Sequence, residues 1–311
     1  MGWRLPTYHF LLFTYHFHKD YDMIGSMEAI HEKTHIGLVS LKVADFGRSL
    51  PFYTCNIGLK LLQQDGDTAV LGTTQRPLLE LIQQPNATPP GGTTGLYHFA
   101  LLVPNRLELS RTFKNLVETR TRFQGFSDHS VSEAIYLGDP DGNGIEIYRD
   151  RKRNEWPMVN GRLNMGTLPL DLDDLASELT PQNANWTGIH PGTVMGHIHL
   201  HVRDLDEAEN FYVNILGFER IMRYGPSAGF VAAGGYHHHI GLNTWAGVGV
   251  SAPPPEMAGL RYYHILLPNQ AALDAVAKRL DANKITYTNQ PEELIVRDPS
   301  QNEIRLKLDA S

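Results

Sequence analysis

The stretch that decides the fold is Ile198–Phe218, IHLHVRDLDEAENFYVNILGF, read beside Val39–Leu59, VSLKVADFGRSLPFYTCNIGL. Asp45, Phe52, Tyr53 and Gly58 fall in register with Asp204, Phe211, Tyr212 and Gly217. Each copy starts as alternating apolar and polar residues, the mark of a half-buried strand. An Asp then caps a short amphipathic segment, and a Gly ends it. Related closing phrases occur downstream, Asp139–Tyr148 (DPDGNGIEIY) and Asp298–Leu306 (DPSQNEIRL). One pattern is therefore stated twice.

Each copy subdivides again. The first predicts a strand at Leu38–Asp45, a helix at Arg48–Asn56, and strands at Leu59–Gln63, Thr68–Gly72 and Leu78–Gln83. A Pro/Gly/Thr-rich loop, Pro85–Thr94, leads to a unit of the same plan. It has a strand at Leu96–Val103, a helix at Leu107–Thr119, and strands near Gly125, at Ala134–Leu137 and at Ile145–Tyr148. The second half repeats this, with strands at His197–Val202 and Tyr262–Leu267 and helices at Leu205–Ile215 and Gln270–Ala282. The chain reads as four βαβββ modules of an α+β fold. A first domain is expected over 35–150, a linker with one short helix at Asp171–Leu179 over 151–194, and a second domain over 195–311.

Composition sets the outer bounds. A chain of 311 residues has room for two domains, each with its own core. Its 41% hydrophobic and 20% charged content is that of a globular protein. The formal net charge of −7 provides no basic footprint, which argues against a nucleic-acid partner. Cys55 is the single cysteine, so an intrachain disulfide is excluded and a reducing cytoplasm is expected. The apolar part of residues 7–18, TYHFLLFTYHFH, is too short to span a bilayer and lacks a small-residue cleavage site, so no membrane association is expected. Residues 1–34 are read as a disordered N-terminal extension, with Met27 as an alternative start.

The stretches VADFGRSLPFY, GLYHFALLVP, DPDGNGIEIY, GHIHLHVRDLDEAENFYVNILGF and GLRYYHILLP resemble the vicinal oxygen chelate superfamily, which includes glyoxalase I, extradiol dioxygenases and bleomycin-resistance proteins. The resemblance covers about residues 35–308 and is nearest to two-domain catechol 2,3-dioxygenase-type proteins. It implies paired modules whose strands curl into open barrels (the glyoxalase/dioxygenase fold) around a metal. It also implies a first-strand histidine from each of two modules and a last-strand glutamate from one of them. Those places are Leu38, His98 and Glu146 in the first half, and His197, Tyr262 and Arg305 in the second.

Neither half is complete. His98, Glu146 and His197 make one full set if the second module pairs with the third. The first and fourth then bring Leu38, Tyr262 and Arg305 together as a metal-free counterpart. Strand parity agrees: Ile198, Leu200 and Val202 form one apolar face, leaving His197, His199 and His201 on the other. By the same alternation His98 lies opposite Phe99 and Leu101, and Glu146 opposite Ile145 and Ile147. A 2-His-1-carboxylate set leaves open positions on Fe(II) for substrate and dioxygen, and it also accepts Mn(II). His199 and His201 are read as cavity lining.

The resemblance further implies groups for proton transfer. Tyr136, ten residues before Glu146 and opposite Ile135 and Leu137, matches a tyrosine that hydrogen-bonds the substrate. His129 matches a family histidine only approximately, and a surface-loop role is the other reading. His238 of GGYHHHIGLN is the acid-base candidate, with His237 and His239 as competitors. Asp139–Asn143 reads as turn chemistry, and Trp245 as a cavity wall. The expected activity is extradiol cleavage of a small aromatic diol by dioxygen. A glyoxalase-like lyase, isomerase or thiol transferase and a sequestering protein of the bleomycin-resistance type are the alternatives. Homo-oligomerisation is left open.

Overall fold

The computed structural model describes residues 29–309. The first module holds β1 (His35–Val43), α1 (Phe46–Pro51), β2 (Lys60–Asp65), β3 (Thr68–Gly72) and β4 (Pro77–Gln83). The second holds β5 (Gly95–Leu102), α2 (Arg106–Glu118), β6 (Phe123–Asp128), β7 (Ser132–Gly138) and β8 (Gly144–Asp150). A connection follows with the small hairpin β9 (Met158–Val159) and β10 (Arg162–Leu163) and the helix α3 (Leu172–Ser177). The third module holds β11 (Val194–His201), α4 (Leu205–Glu209), β12 (Glu219–Tyr224), β13 (Ala228–Ala232) and β14 (Ile240–Asn243). The fourth holds β15 (Gly259–Leu267), α5 (Gln270–Ala282), β16 (Tyr287–Gln290), β17 (Glu293–Arg297) and β18 (Glu303–Leu308). None of the described helices is long and apolar enough to cross a membrane.

The two copied helices are each shorter than predicted, for one shared reason. After α1 and α4 the backbone widens into π-helical turns at Phe52–Asn56 and Asn210–Ile215. There the amides of Ile57 and Leu216 reach back five residues, to the carbonyls of Phe52 and Phe211. Gly58 and Gly217 then reverse the chain at φ of +84° and +90°, a region that favours glycine. Asp45 and Asp204 cap the helix starts, accepting from the amides of Gly47 and Glu207.

The strands form two eight-stranded sheets. Their orders are β16-β17-β18-β15-β1-β4-β3-β2 and β12-β13-β14-β11-β5-β8-β7-β6. Module one thus pairs with module four through β1 and β15, and module two with module three through β5 and β11, both antiparallel. This is the exchanged pairing expected from the sequence. Hydrogen bonds tie the modules of each half in the other direction. The Tyr53 hydroxyl donates to Asp139 at 2.9 Å and the Tyr212 hydroxyl to Asp298 at 3.0 Å. Each Asp also accepts two backbone amides of its own turn, so the closing phrases are turns, as read.

A single apolar cluster draws on all four modules, with Val39 and Leu41, Phe99 and Leu101, Ile198 and Leu200, and Tyr263 and Ile265 buried in it. A smaller cluster of Ala100, Ala134 and Tyr148, packed by Leu102 and Tyr136, lies on the opposite face of the second sheet. The extension behaves differently at its end: Ile30 is buried and its amide donates to the Gly217 carbonyl at 2.8 Å. Ile30 and Thr34 are therefore packed into the fold, against the disorder expected of the extension. The reading of residues 1–26 and of Met27 lies outside the described residues.

His264, on β15, stacks on Tyr262 with ring centroids 5.5 Å apart. Burial, then Lys307 and Arg305, push its pKa down to about 3. It stays neutral in the fold but takes a proton near pH 6.5 once unfolded. The stability linked to it is present above about pH 6.5 and falls as pH drops toward 3. His264→Asn is expected to shift the midpoint of acid unfolding, followed by circular dichroism, to lower pH.

Candidate metal centre

The centre is built on the seam between β5 and β11. His98 lies opposite His199, and His197 opposite Ala100, whose other neighbour across the parallel β5–β8 pairing is Glu146. Register shifts fall at Gly196 and Tyr97, and glycine is needed where backbone and side chains crowd. A Cβ on Gly196 would press into the Tyr148 hydroxyl, and one on Gly144 into the Tyr97 carbonyl beside His98. These close approaches bring three strands together under one point.

At that point three donor atoms form a triangle. His98 Nε2 is 3.1 Å and His197 Nε2 3.2 Å from Glu146 Oε2, and the two nitrogens are 3.4 Å apart. All three residues are buried. Among the described residues this is the one group of three or more His, Cys, Asp or Glu with metal-binding geometry. A divalent cation bonded at about 2.0–2.3 Å to each donor spans ligand–ligand edges of about 3.0–3.4 Å, so the triangle fits one ion.

Electrostatics match that fit. Burial would raise the Glu146 pKa, but His197 and His98 outweigh it and hold the carboxyl well below its usual range. Burial lowers His197, with Glu146 opposing. The site at neutral pH is thus a carboxylate beside a neutral imidazole, which is the protonation state a cation requires. His197 Nδ1 is buried without a partner, so that ring is engaged through Nε2.

The other candidates fall around this triangle. His129 Nδ1 donates to the Gly166 carbonyl at 2.9 Å, which leaves Nε2 to accept from the Tyr136 hydroxyl at 2.8 Å. Burial, then Glu146, push the Tyr136 pKa well up, so the phenol keeps its proton. The ring of His238 lies 4.1 Å from that of His197. Burial and the neighbouring His197 and His237 hold its pKa well below the usual value. Its Nδ1 meets His237 Nδ1 at 2.8 Å, and His237 Nε2 meets Asp150 Oδ1 at 2.9 Å. With Asp150 accepting from His237, a neutral His237 accepts from His238 Nδ1, leaving His238 Nε2 with a free lone pair. His239 instead turns back to accept from the Ala233 amide.

His199 is buried with Nε2 unpartnered, and burial holds its pKa well down. His201 Nδ1 bonds Asn243 at 2.7 Å. Tyr97 stacks edge-on against Trp245 and contacts the rings of His98, His199 and His201. Tyr97 was missed because strict alternation puts it on the core face; the bulge rotates it onto the site. Asp150 was also missed, although it shares the parity of Glu146 and Tyr148.

The counterpart in the first sheet needs a correction. By pairing register, Glu80 beside Ser40 holds the place in module one that Glu146 holds in module two, and Arg305 beside His264 holds it in module four. The site around Leu38, Tyr262 and Arg305 therefore does contain a carboxylate. Glu80 Oε1 accepts from Ser40 and from Tyr262, each at 2.7 Å, and from Arg261 at 3.3 Å. Arg305 lies over the Tyr262 ring at 3.6 Å. With one carboxylate and no histidine at these places, the set lacks the donors found at the other centre.

The sequence profile of the Glyoxalase/Bleomycin resistance protein/Dioxygenase superfamily matches residues 35–147 and 194–306, and the chain belongs to that superfamily. It is 44% identical over 278 residues to the catechol-2,3-dioxygenase of Bacillus subtilis (strain 168), covering 88% of this chain and 96% of that one. Among solved structures, a protein of Bacillus subtilis subsp. subtilis str. 168 superposes with a TM-score of 0.60 at 14% identity, over 92% of this chain and 87% of that one. Glyoxalase I of Zea mays superposes with a TM-score of 0.55 at 17% identity, over 88% and 92%. These two likenesses concern the fold.

Removing a donor is expected to empty the centre. His98→Ala, His197→Ala and Glu146→Ala should each weaken divalent-metal affinity by at least about a hundredfold, measured by metal analysis after dialysis. Circular dichroism should remain that of the parent fold.

Proposed function

We propose that the protein is an extradiol ring-cleaving dioxygenase that inserts dioxygen into a catechol-type aromatic diol, with Fe(II) held by His98, His197 and Glu146. The observation that carries this reading is the triangle of two imidazoles and one carboxylate at 3.1–3.4 Å. The 44% identity to a catechol-2,3-dioxygenase supports it. Held by these three residues, Fe(II) would supply a Lewis-acid and redox centre for a vicinal diol and dioxygen.

The chain's own groups account for the proton traffic. His238 Nε2, left with a lone pair by the Asp150–His237–His238 chain, accepts a proton from the entering diol and returns it later. Tyr136 holds a diol oxygen through its hydroxyl, and His129, anchored on Gly166, fixes the direction of that hydroxyl. Tyr97, against the His98 ring, and Trp245, edge-on to Tyr97, offer flat apolar surface beside the centre suited to an aromatic ring. The fourth equivalent place, beside His199 in module three, is Gly241. It offers no donor, and a Cβ there would come within 2.7 Å of the His199 ring. This favours open coordination positions over a lyase centre closed by a fourth protein ligand.

Anaerobic loading with Fe(II), followed by catechol and air, is expected to give a yellow ring-opened product with uptake of one O₂ per ring. His238→Phe should lower kcat by about 10²–10⁴-fold with metal content unchanged. Absence of any ring-opened product across a panel of substituted catechols, with iron bound, would refute the assignment. Reconstitution with Mn(II) in parallel separates the two metals.

A further inference from the structure

A cavity of about 580 Å³ opens on the sheet that pairs modules one and four. Its wall carries Lys42, Arg261, Arg297 and Arg305 against a single lining carboxylate, Glu303. This is unexpected in a chain with a net charge of −7. Register explains its origin: Arg305 stands where module two has Glu146, and Tyr262 where it has His98. The place that supplies negative charge to one centre supplies positive charge to the other.

The cationic groups are held in place without being neutralised as a set. Arg305 lies flat on Tyr262 at 3.6 Å and reaches Glu303 at 3.2 Å. Arg297 takes the other oxygen of Glu303. Lys42 Nζ donates to a neutral acceptor, the Pro255 carbonyl, at 2.9 Å, with Glu256 nearby. Arg261 reaches Glu80 at 3.3 Å, an oxygen already shared by Ser40 and Tyr262. Four cations thus face three carboxylates, one of them turned toward Tyr262. The remaining wall is apolar, with Ile82, Leu260 and Pro253. The volume is that of a small-molecule site.

We propose that this cavity binds a small organic carboxylate, its head on Arg305 and Lys42 and its apolar body on the Leu260 wall. Guanidinium and ammonium groups are the side chains that recognise carboxylates, and a partly enclosed wall strengthens that pairing. The binding is independent of the metal centre and of its chemistry.

The test is calorimetric titration of the full-length protein, in a buffer free of oxyanions, with benzoate, benzamide and inorganic phosphate. Benzoate is expected to bind with a Kd of about 1 mM or tighter, and benzamide and phosphate at least about tenfold more weakly. Arg305→Met and Lys42→Met should each weaken benzoate by about tenfold, and Arg305→Lys by less. His197→Ala and chelator treatment should leave benzoate binding unchanged, so the outcome does not depend on the dioxygenase assignment. Three results would overturn the proposal: no saturable benzoate binding, benzamide or phosphate binding equal to benzoate, or loss of binding in His197→Ala but not in Lys42→Met.

Discussion

The antiparallel seam between β5 and β11 is the contact on which the rest depends. It joins residues about a hundred positions apart and belongs to neither half alone. Without it, His98 and Glu146 lie in one sheet fragment and His197 in another. With it, the three donors come within 3.4 Å of one another. Two local irregularities make the approach feasible, the bulges at Gly196 and Tyr97, and both involve residues that point toward or make room for the site. The reactive geometry is therefore a property of how two modules meet.

The same architecture uses a second set of ties that runs across the first. Tyr53 to Asp139 and Tyr212 to Asp298 link modules within each half, while the sheets link modules between halves. The halves cannot separate without breaking both sheet seams and exposing the shared apolar core. This interlocking suits a candidate site whose three donor atoms are held within 3.4 Å of one another. It also leaves the first sheet free of that constraint. There the equivalent positions hold a carboxylate satisfied by hydroxyls and a guanidinium stacked on a phenol, a polar cluster that is stable without an ion.

Around the candidate metal centre, histidines differ in which nitrogen is held and by what. His129 is held through Nδ1 by a backbone carbonyl, His237 through Nε2 by a carboxylate, and His239 through Nδ1 by a backbone amide, so His129 and His239 are left with Nε2 and His237 with Nδ1. Three consecutive histidines in the sequence look interchangeable. In the fold one faces the His197 ring, one bonds Asp150 and one accepts the Ala233 amide.

The sequence by itself determined the module plan, because strand alternation and Asp caps are local and the Gly-terminated helix ends are too. It also exposed the face of each strand, and hence His98, Glu146 and His197, because side chains alternate with a period of two. It shortened nothing at the π-helical turns, since one extra residue in a turn leaves no mark in the hydrophobic pattern. Tertiary structure alone decided what the pattern could not carry. The bulge at Tyr97 overrode parity, and the pairing register placed Glu80 beside Ser40. The Asp150–His237–His238 hydrogen-bond chain gives three consecutive histidines different partners. Each of these depends on distances between residues far apart in the chain, which periodicity does not encode.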